Sequence, residues 1–403
     1  MIKSQIKTLF LTRYLPYPPL GGAALRNWQN INIMKEYGPV SIVSICSDKA
    51  DDVELPGIKR WEHFVVNKSI NFWENYRCKL WPIRRFGYPD VDKLYRKNIL
   101  NQLKNSLNKF QPDIVIIEEL WTFNYLRIIQ QFPCKVILDD HNIEADLLEQ
   151  NHGKLKLKLP RLKAIEKKFI QQADQVWVCS EDDKKLLNKL YGNSTDVYSI
   201  PNTININDYN KIYQGKEVYP SHLNPTNHNI LFLGQYNYPP NAIAAKILIE
   251  KIYPQVKQQY PDTKLLLVGR NSNSQMRQAS QQDPDIIVTG SVPDVRPYLA
   301  AASVMVVPLQ TGGGTRLKIL EALASGCPVI STSKGAEGIK IQDRVHLLIK
   351  ETPEDIIKGI VEIWTNSSFK ISLKEKGCQL VKSQYSWEAI TPNIEKVIVK
   401  LLN

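Results

Sequence analysis

Short apolar runs rich in valine and isoleucine alternate with longer stretches of helical period along the chain. In the first half, runs at 8–11, 40–45, 113–117, 135–138 and 175–179 predict strands. Several are apolar at nearly every position, the pattern of parallel strands covered on both faces. Helical spacing occupies 23–37 and 162–172 between them. A second series opens near Asn229, with strands at 230–233, 264–268, 286–289, 304–307 and 329–331. Its helices fall at 242–260, 295–302, 317–325 and 353–364. The alternation predicts an α/β fold of two Rossmann-like, doubly wound domains facing each other, spanning 1–201 and 229–383. Ligands are then expected at the carboxyl ends of strands, in the crevice between domains. The stretch 202–228 has no sustained period and is read as a linker.

The length of 403 residues fits two domains at roughly 100–200 residues each. With 43% hydrophobic and 23% charged residues there is material for two cores, which excludes a disordered or fibrous chain. Six cysteines without a CxxC pair argue against a disulfide framework or zinc ribbon and suit a reducing cytoplasm. The first residues hold too short an apolar run for a signal peptide, and no stretch approaches the roughly 18 apolar residues of a membrane span. The net charge of +12 suits phosphates, nucleic acid or anionic lipid as partners, though many basic proteins have no polyanionic partner.

The most informative stretch is Thr311-Gly-Gly-Gly-Thr-Arg-Leu-Lys-Ile-Leu-Glu321. It follows an apolar strand and opens a helix. Gly313 and Gly314 let the backbone approach a ligand, and Thr315 is the expected N-cap. The helix start aims free N–H groups and positive dipole at one point. Arg316 and Lys318 in the first turn oppose that dipole unless an anion pairs with both, and a diphosphate suits a guanidinium fork beside an ammonium. Leu317, Leu320, Glu321 and Ala324 share one helix face, so Glu321 sits at the apolar stripe and is suited to accept hydrogen bonds from ribose hydroxyls. The plain alternative is a glycine turn with a weak Lys318–Glu321 surface pair. Neither GxxxxGK[ST] nor GxGxxG occurs.

That segment is flanked by Gly290-Ser-Val-Pro-Asp-Val-Arg-Pro-Tyr298, Ala302-Ser-Val-Met-Val-Val-Pro-Leu309, Pro328-Val-Ile-Ser-Thr332 and Gly335-Ala-Glu-Gly338. Together they closely resemble the donor domain of glycosyltransferase family 4, whose members have the GT-B fold and use nucleotide sugars with retention. Further resemblances are Phe232-Leu-Gly234 with Pro240-Asn241, Ser199-Ile-Pro-Asn202 and Asp174-Gln-Val-Trp-Val-Cys-Ser180. Tyr385-Ser-Trp-Glu388 resembles the start of a terminal helix, about 384–403, that returns to the first domain. Two departures stand out. The family often has two glutamates eight positions apart; Glu321 matches the second, and Gly313 occupies the place of the first. The stretch 235–239 lacks the Arg and Lys that many relatives place there, which leaves Arg316 and Lys318 for the diphosphate. Gly269 and Arg270 end a strand and are candidates for the base pocket, and the resemblance adds Val292.

In the first domain, Gly21 and Gly22 stand between a strand and a helix, suited to close approach of a phosphate or sugar or simply to a turn. The resemblance implies a loop that closes over the donor and shapes the acceptor site. Asp140, His141 and Asn142 follow another strand at the predicted crevice; the family counterpart of His141 borders sugar and acceptor. Glu118 and Glu119 either contact the acceptor or cap their strand in solvent. The region 62–97, with Trp73, Trp81 and several Arg and Lys, is read either as an insertion touching acceptor or membrane, or as aromatics that pack down. The Lys/Leu alternation at 154–163 suits either anionic lipid or a solvated edge.

No histidine pair has metal-ligand spacing. Asp90-Val-Asp92 and Asp283-Pro-Asp285 carry the letters of a metal-binding DxD, but in polar, proline-containing surroundings. No metal and no cofactor are expected; the helix dipole with Arg316 and Lys318 takes the metal's place. The expected function is a retaining hexosyltransferase moving sugar from a nucleotide-diphosphate sugar to a saccharide or lipid-linked acceptor, in surface polysaccharide or glycolipid assembly. His141, Arg316 and Lys318 carry the chemistry. The expected setting is cytoplasmic, with peripheral contact at an anionic membrane and no nucleic-acid partner. A nucleotide-sugar epimerase of the same fold and a catalytically silent binding subunit are the alternatives.

Overall fold

The computed structural model describes residues 5–17, 19, 21–46, 55, 58–66, 72–150, 158–193, 195–217, 219–224, 228–313 and 316–403. The chain forms two compact units: residues 1–202 with 391–403, and residues 203–390.

Unit 1 holds a seven-stranded parallel sheet: β1 (Thr8–Thr12), β2 (Val40–Cys46), β3 (Ile58–Val65), β4 (Ile114–Glu118), β5 (Lys135–Asp140), β6 (Gln175–Val178) and β7 (Asp196–Ser199). The order is β3-β2-β1-β4-β5-β6-β7. Every residue of β1, β2, β4 and β6 is buried, which is why these strands read as largely apolar runs. β3 and β7 stand at the edges, where burial is incomplete and the apolar signal thins. Both escape a reading by hydrophobic pattern, and 62–65, expected to be irregular, lies in β3. Helix α1 (Gly22–Lys35) starts at Gly21, whose φ of 96° suits glycine.

Unit 2 holds six parallel strands: β8 (Asn229–Leu233), β9 (Lys264–Val268), β10 (Ile286–Gly290), β11 (Val304–Val307), β12 (Val329–Ser331) and β13 (Leu348–Ile349), in the order β10-β9-β8-β11-β12-β13. Both sheets therefore repeat the doubly wound order, with switch points between β1 and β4 and between β8 and β11. The expected helix 242–260 is one rod from Pro239 to Gln259, with a π turn at Leu248–Ile252. The expected linker 202–228 carries short helices at Ile206–Tyr209 and Asn210–Tyr213 and clusters with unit 2 from Thr203 on. The last helix, Trp387–Leu402, begins in unit 2 and ends in unit 1. There Gln175 donates to the Val397 carbonyl at 3.0 Å and Lys400 pairs with Asp196 at 2.8 Å.

All six cysteines are unpaired. Among the described residues, no helix is long and apolar enough to cross a membrane.

Candidate functional site

At a switch point the connections leave in opposite directions, so the strand ends border a crevice. In unit 1, β4 ends in Glu118 and β5 in Asp139 and Asp140, with His141 next in the chain. Glu118, Glu119, Asp139, Asp140 and His141 are all buried, so Glu118 and Glu119 are not solvent-facing strand caps. His141 Nε2 lies 2.8 Å from Glu118 Oε2 and 3.4 Å from Asp139 Oδ2; its Nδ1 lies 3.3 Å from Glu119 Oε1. Glu119 holds φ at +66° with ψ 157°, a conformation rare for a side chain with a Cβ.

The opposing charge comes from the inner face of α1. Arg26 is fully buried there and pairs with Asp139, its Nε 3.0 Å from both carboxylate oxygens. Its Nη1 donates to the Ile200 carbonyl at 2.7 Å and to Asn202 Oδ1 at 2.9 Å, and its Nη2 also donates to Asp139. Asn30, one turn along, donates to Asp139 Oδ2 at 2.7 Å. Glu118, Asp139 and His141 offer donor atoms within 4.8 Å of one another. Asp139, however, is already met by Arg26 and Asn30, and His141 by Glu118. Glu118 Oε1 and His141 Nδ1 are left buried without a hydrogen-bond partner among the described residues.

These contacts move the protons. Burial raises Asp139, but Arg26 beside it overrides that and holds the carboxyl well below the usual range. Burial lowers His141, but its bonds to Asp139, Glu118 and Glu119 more than offset this and raise it well above ordinary imidazole. Glu118 is pushed up to about 8, first by burial and then by Asp139. A second acidic layer lies behind: Glu166 accepts the Glu144 amide at 2.8 Å and the Tyr191 hydroxyl. Burial lifts Glu144 to about 8, Glu166 to about 7, and Asp140 upward.

Raised folded pKa values contribute stability that is fully present below the unfolded values, near pH 4.5 for glutamate and near 6.5 for histidine, and lost as pH rises through the folded ones. For Glu118, Glu144 and Glu166 that window is pH 7–8. The calorimetric melting temperature of unit 1 is expected to fall as pH rises from about 6 to about 9. A flat or rising profile would show that these acids are ionised in the native state.

In unit 2, β11 leads through the glycine-rich turn into the helix Leu317–Ser325. Arg316, not Thr315, occupies the N-cap position, one place outside the expected first turn. Buried, it donates to the carbonyl of Gly313 and to that of Lys334, the latter at 3.5 Å. Gly312 takes φ 105°, and a Cβ there would stand 2.8 Å from the Tyr238 hydroxyl. Lys318 donates to Asn241 Oδ1 at 2.9 Å and lies 4.3 Å from the Phe232 ring centroid. Among the described residues it has no ion-pair partner. Burial, and then Arg316, lower its pKa to about 7. Glu321 is half-buried at the edge of a stripe in which Leu317, Leu320 and Ala324 are buried. Its Oε1 accepts the Tyr209 hydroxyl at 2.9 Å, and burial raises its pKa to about 7.

Gly269 follows β9, so close to its neighbour that a Cβ would stand 1.8 Å from the Gly234 carbonyl oxygen. Arg270 donates to Gln235 at 3.1 Å. A bridge joins Gly269 to Gly290, two residues before Val292, so the base-pocket candidates gather at the ends of β9 and β10.

The structure thus assembles two constellations: His141 with Glu118, Glu119 and Asp139 in unit 1, and Arg316, Lys318 and Glu321 with Gly313 in unit 2. Gly21 and Gly22 open α1, one turn before Arg26, and Asn142 is half-buried beside His141. Gly314 and Thr315 lie outside the described residues. The two DxD look-alikes are held in ion pairs, Asp92 with Arg77 and Arg84, and Asp283 and Asp285 with Lys257. Arg26, Asn30, Asp139, Asn241 and Tyr209 escaped the sequence reading as site residues. A faint signal existed for the first two: Arg26 and Asn30 share a helical stripe with Ile33 and Tyr37.

Comparison with known proteins supplies the family. Residues 70–208 match the profile of Glycosyltransferase Family 4, and residues 227–366 match that of Glycosyl transferases group 1. The phosphatidyl-myo-inositol mannosyltransferase of Mycobacterium tuberculosis is 26% identical over 212 residues, 50% of this chain and 54% of that protein. The match thus spans about half the length of that relative. Among solved structures, sucrose-phosphate synthase from Thermosynechococcus elongatus superposes with TM-score 0.76 at 17% identity, covering 98% of this chain and 99% of the other. Anabaena HepE, solved in complex with UDP and glucose, gives 0.67 at 14% identity, covering 98% and 100%. With both halves matched and both sheets wound in the same order, the chain belongs to the family 4 type of GT-B glycosyltransferases.

Proposed function

We propose that the chain transfers a hexose from a nucleotide-diphosphate sugar to a saccharide or lipid-linked acceptor, with retention at the anomeric carbon, in surface polysaccharide or glycolipid assembly. The observation that carries this reading is Lys318, half-buried at a helix start beside Arg316, whose amine is met, among the described residues, by a neutral amide and an aromatic face. Glu321 on the same helix offsets the charge of this amine only in part, and a leaving diphosphate would supply the rest. The complex of HepE with UDP and glucose, and the lipid acceptor in the name of the mannosyltransferase, support the donor and acceptor classes.

In the reaction the acceptor hydroxyl oxygen bonds to the anomeric carbon as the bond from that carbon to the phosphate oxygen breaks. The hydroxyl proton passes to the departing phosphate. Helix N–H groups, Arg316 and Lys318 stabilise the charge that develops on the diphosphate, without a metal. Glu321, which Tyr209 orients, receives the ribose hydroxyls. His141, held charged between carboxylates, acts as a hydrogen-bond donor to a sugar or acceptor hydroxyl rather than as a general base.

A thermal-shift screen against UDP-, GDP- and ADP-sugars tests the donor class. One of them is expected to raise the melting temperature, and nucleotide release is then expected to require an acceptor. No shift with any of them would sink the reading, and isomerisation of the sugar without an acceptor would turn it into an epimerase. His141→Ala is expected to lower turnover by about 10²-fold with nucleotide affinity unchanged. Undiminished turnover would remove His141 from the site.

A further inference from the structure

A helix on a globular unit normally buries one stripe of its surface. Helix α2 (Phe72–Lys79) has no buried residue. Phe72 is 74% exposed, Trp73 75% and Tyr76 49%, and Ile83 beyond the helix end is 77% exposed. Phe72 stands edge-on to Trp73 at 5.6 Å and stacks parallel to Tyr76 at 6.4 Å, so the rings form one cluster. None of these residues belongs to either constellation above.

The charge around the cluster has one sign. Residues 72–97 hold seven Arg and Lys against three acids. All three acids are engaged: Glu74 with Arg96 at 3.5 Å, Asp90 with Lys93 at 3.5 Å, and Asp92 with Arg77 at 3.1 Å and Arg84 at 2.7 Å. Lys79 and Arg85 stay exposed and, among the described residues, without an acidic partner. The described end of the basic stretch 154–163 is pinned to the same segment. Arg161 donates to the Arg84 carbonyl at 2.6 Å and to that of Pro82, and lies 5.7 Å from the Trp81 ring centroid. Lys158 lies 6.0 Å from the Tyr88 ring. Two features some 70 residues apart in sequence thus make one face.

We propose that α2 and the turn through Arg85 dock on an anionic lipid bilayer, with Phe72, Trp73, Tyr76 and Ile83 entering the interface while Lys79 and Arg85 meet lipid phosphates. Trp and Tyr favour the depth where headgroups meet acyl chains, and cations beside them add attraction to an anionic leaflet. A protein partner would need carboxylates matched to each cation in position, whereas a bilayer needs only the sign. The proposal does not depend on the donor or acceptor chemistry above, because its test reads binding rather than transfer.

The experiment is co-sedimentation of the full chain with vesicles of phosphatidylglycerol and phosphatidylcholine, against phosphatidylcholine alone. The chain is expected to partition onto the anionic vesicles. Joint replacement Phe72→Ser, Trp73→Ser and Tyr76→Ser is expected to lower the partition coefficient by more than about ten-fold. Lys79→Gln and Arg85→Gln are expected to lower it about five-fold per charge, an effect that added salt erases. Because the replaced side chains are exposed, the melting temperature is expected to stay unchanged, which separates lost docking from lost folding. A chain left in the supernatant with anionic vesicles, or a triple variant that partitions like the parent, would overturn the proposal. So would light scattering that shows the triple variant dissociating an oligomer that binds no vesicles, because the patch would then be a surface for a second copy.

Discussion

Lys318→Ala is expected to weaken binding of the cognate nucleoside diphosphate by about 10²–10³-fold, while the nucleoside alone loses less than about three-fold. The asymmetry follows from position. The amine lies in the first turn of the Leu317–Ser325 helix beside Arg316, whereas Glu321, the ribose candidate, lies three residues further along. The pH dependence is a second arm of the same test. Burial holds the unliganded amine near a pKa of 7, and an arriving diphosphate raises it. Below that pH the amine is already charged and affinity is at its plateau. Above it each binding event must take up a proton, and affinity falls toward ten-fold per pH unit until the bound pKa is reached. Glu321 runs the other way: near pH 7 it becomes ionised as pH rises and accepts ribose hydroxyls better. Calorimetry over pH 6–9 should therefore find the ratio of diphosphate to nucleoside affinity falling as pH rises. Equal losses for both ligands in the alanine variant would remove Lys318 from the phosphate site.

Arg26→Met is expected to destabilise unit 1 by about 3–5 kcal/mol, because it leaves the Asp139 carboxylate buried without its cation. Asp139→Asn is expected to cost a similar amount for the converse reason. The double variant is expected to recover part of the loss, and that coupling separates an ion pair from two unrelated packing defects. Additive losses in denaturant unfolding would refute it. The pair also has a sign in pH. Since Asp139 is held below its unfolded value, the stability it contributes is present above about pH 4 and disappears as pH falls through the folded pKa. Acid therefore undoes the Arg26 pair, while alkali undoes the shared protons of Glu118, Glu144 and Glu166. Unit 1 is most stable between the two.

The buried central strands were legible because they are apolar at nearly every position, and β9 and β11 match their expected bounds. Edge strands β3 and β7 and the two-residue β13 were not, since partial exposure breaks the run. The helices Ser274–Gln282 and Ser367–Gln384 also lay outside the pattern; both are mostly polar, with few buried positions. The glycine-rich segment with Arg316, Lys318 and Glu321 was visible because a candidate phosphate site is local: one turn and one helix start suffice. The network of unit 1 was not, because Arg26, Asp139 and Asn202 meet only after 113 and then 63 residues of intervening order. Tyr209 escaped for a related reason. A segment without period gives no sign that one of its side chains will reach the Glu321 carboxylate, 112 residues away.

The return of Thr391–Asn403 to unit 1 has a consequence for biosynthesis. Ile394, Val397, Ile398 and Leu401 are buried, and Val397 supplies the acceptor for Gln175. The N-terminal unit therefore cannot finish packing before residues 391–403 have been translated, long after its strand β1. The C-terminal unit, made of the continuous stretch 203–390, has all its residues available sooner. Of the two units, the one begun earlier is the one completed later, and a stop codon within the helix Trp387–Leu402 would leave the upstream sheet open on one side.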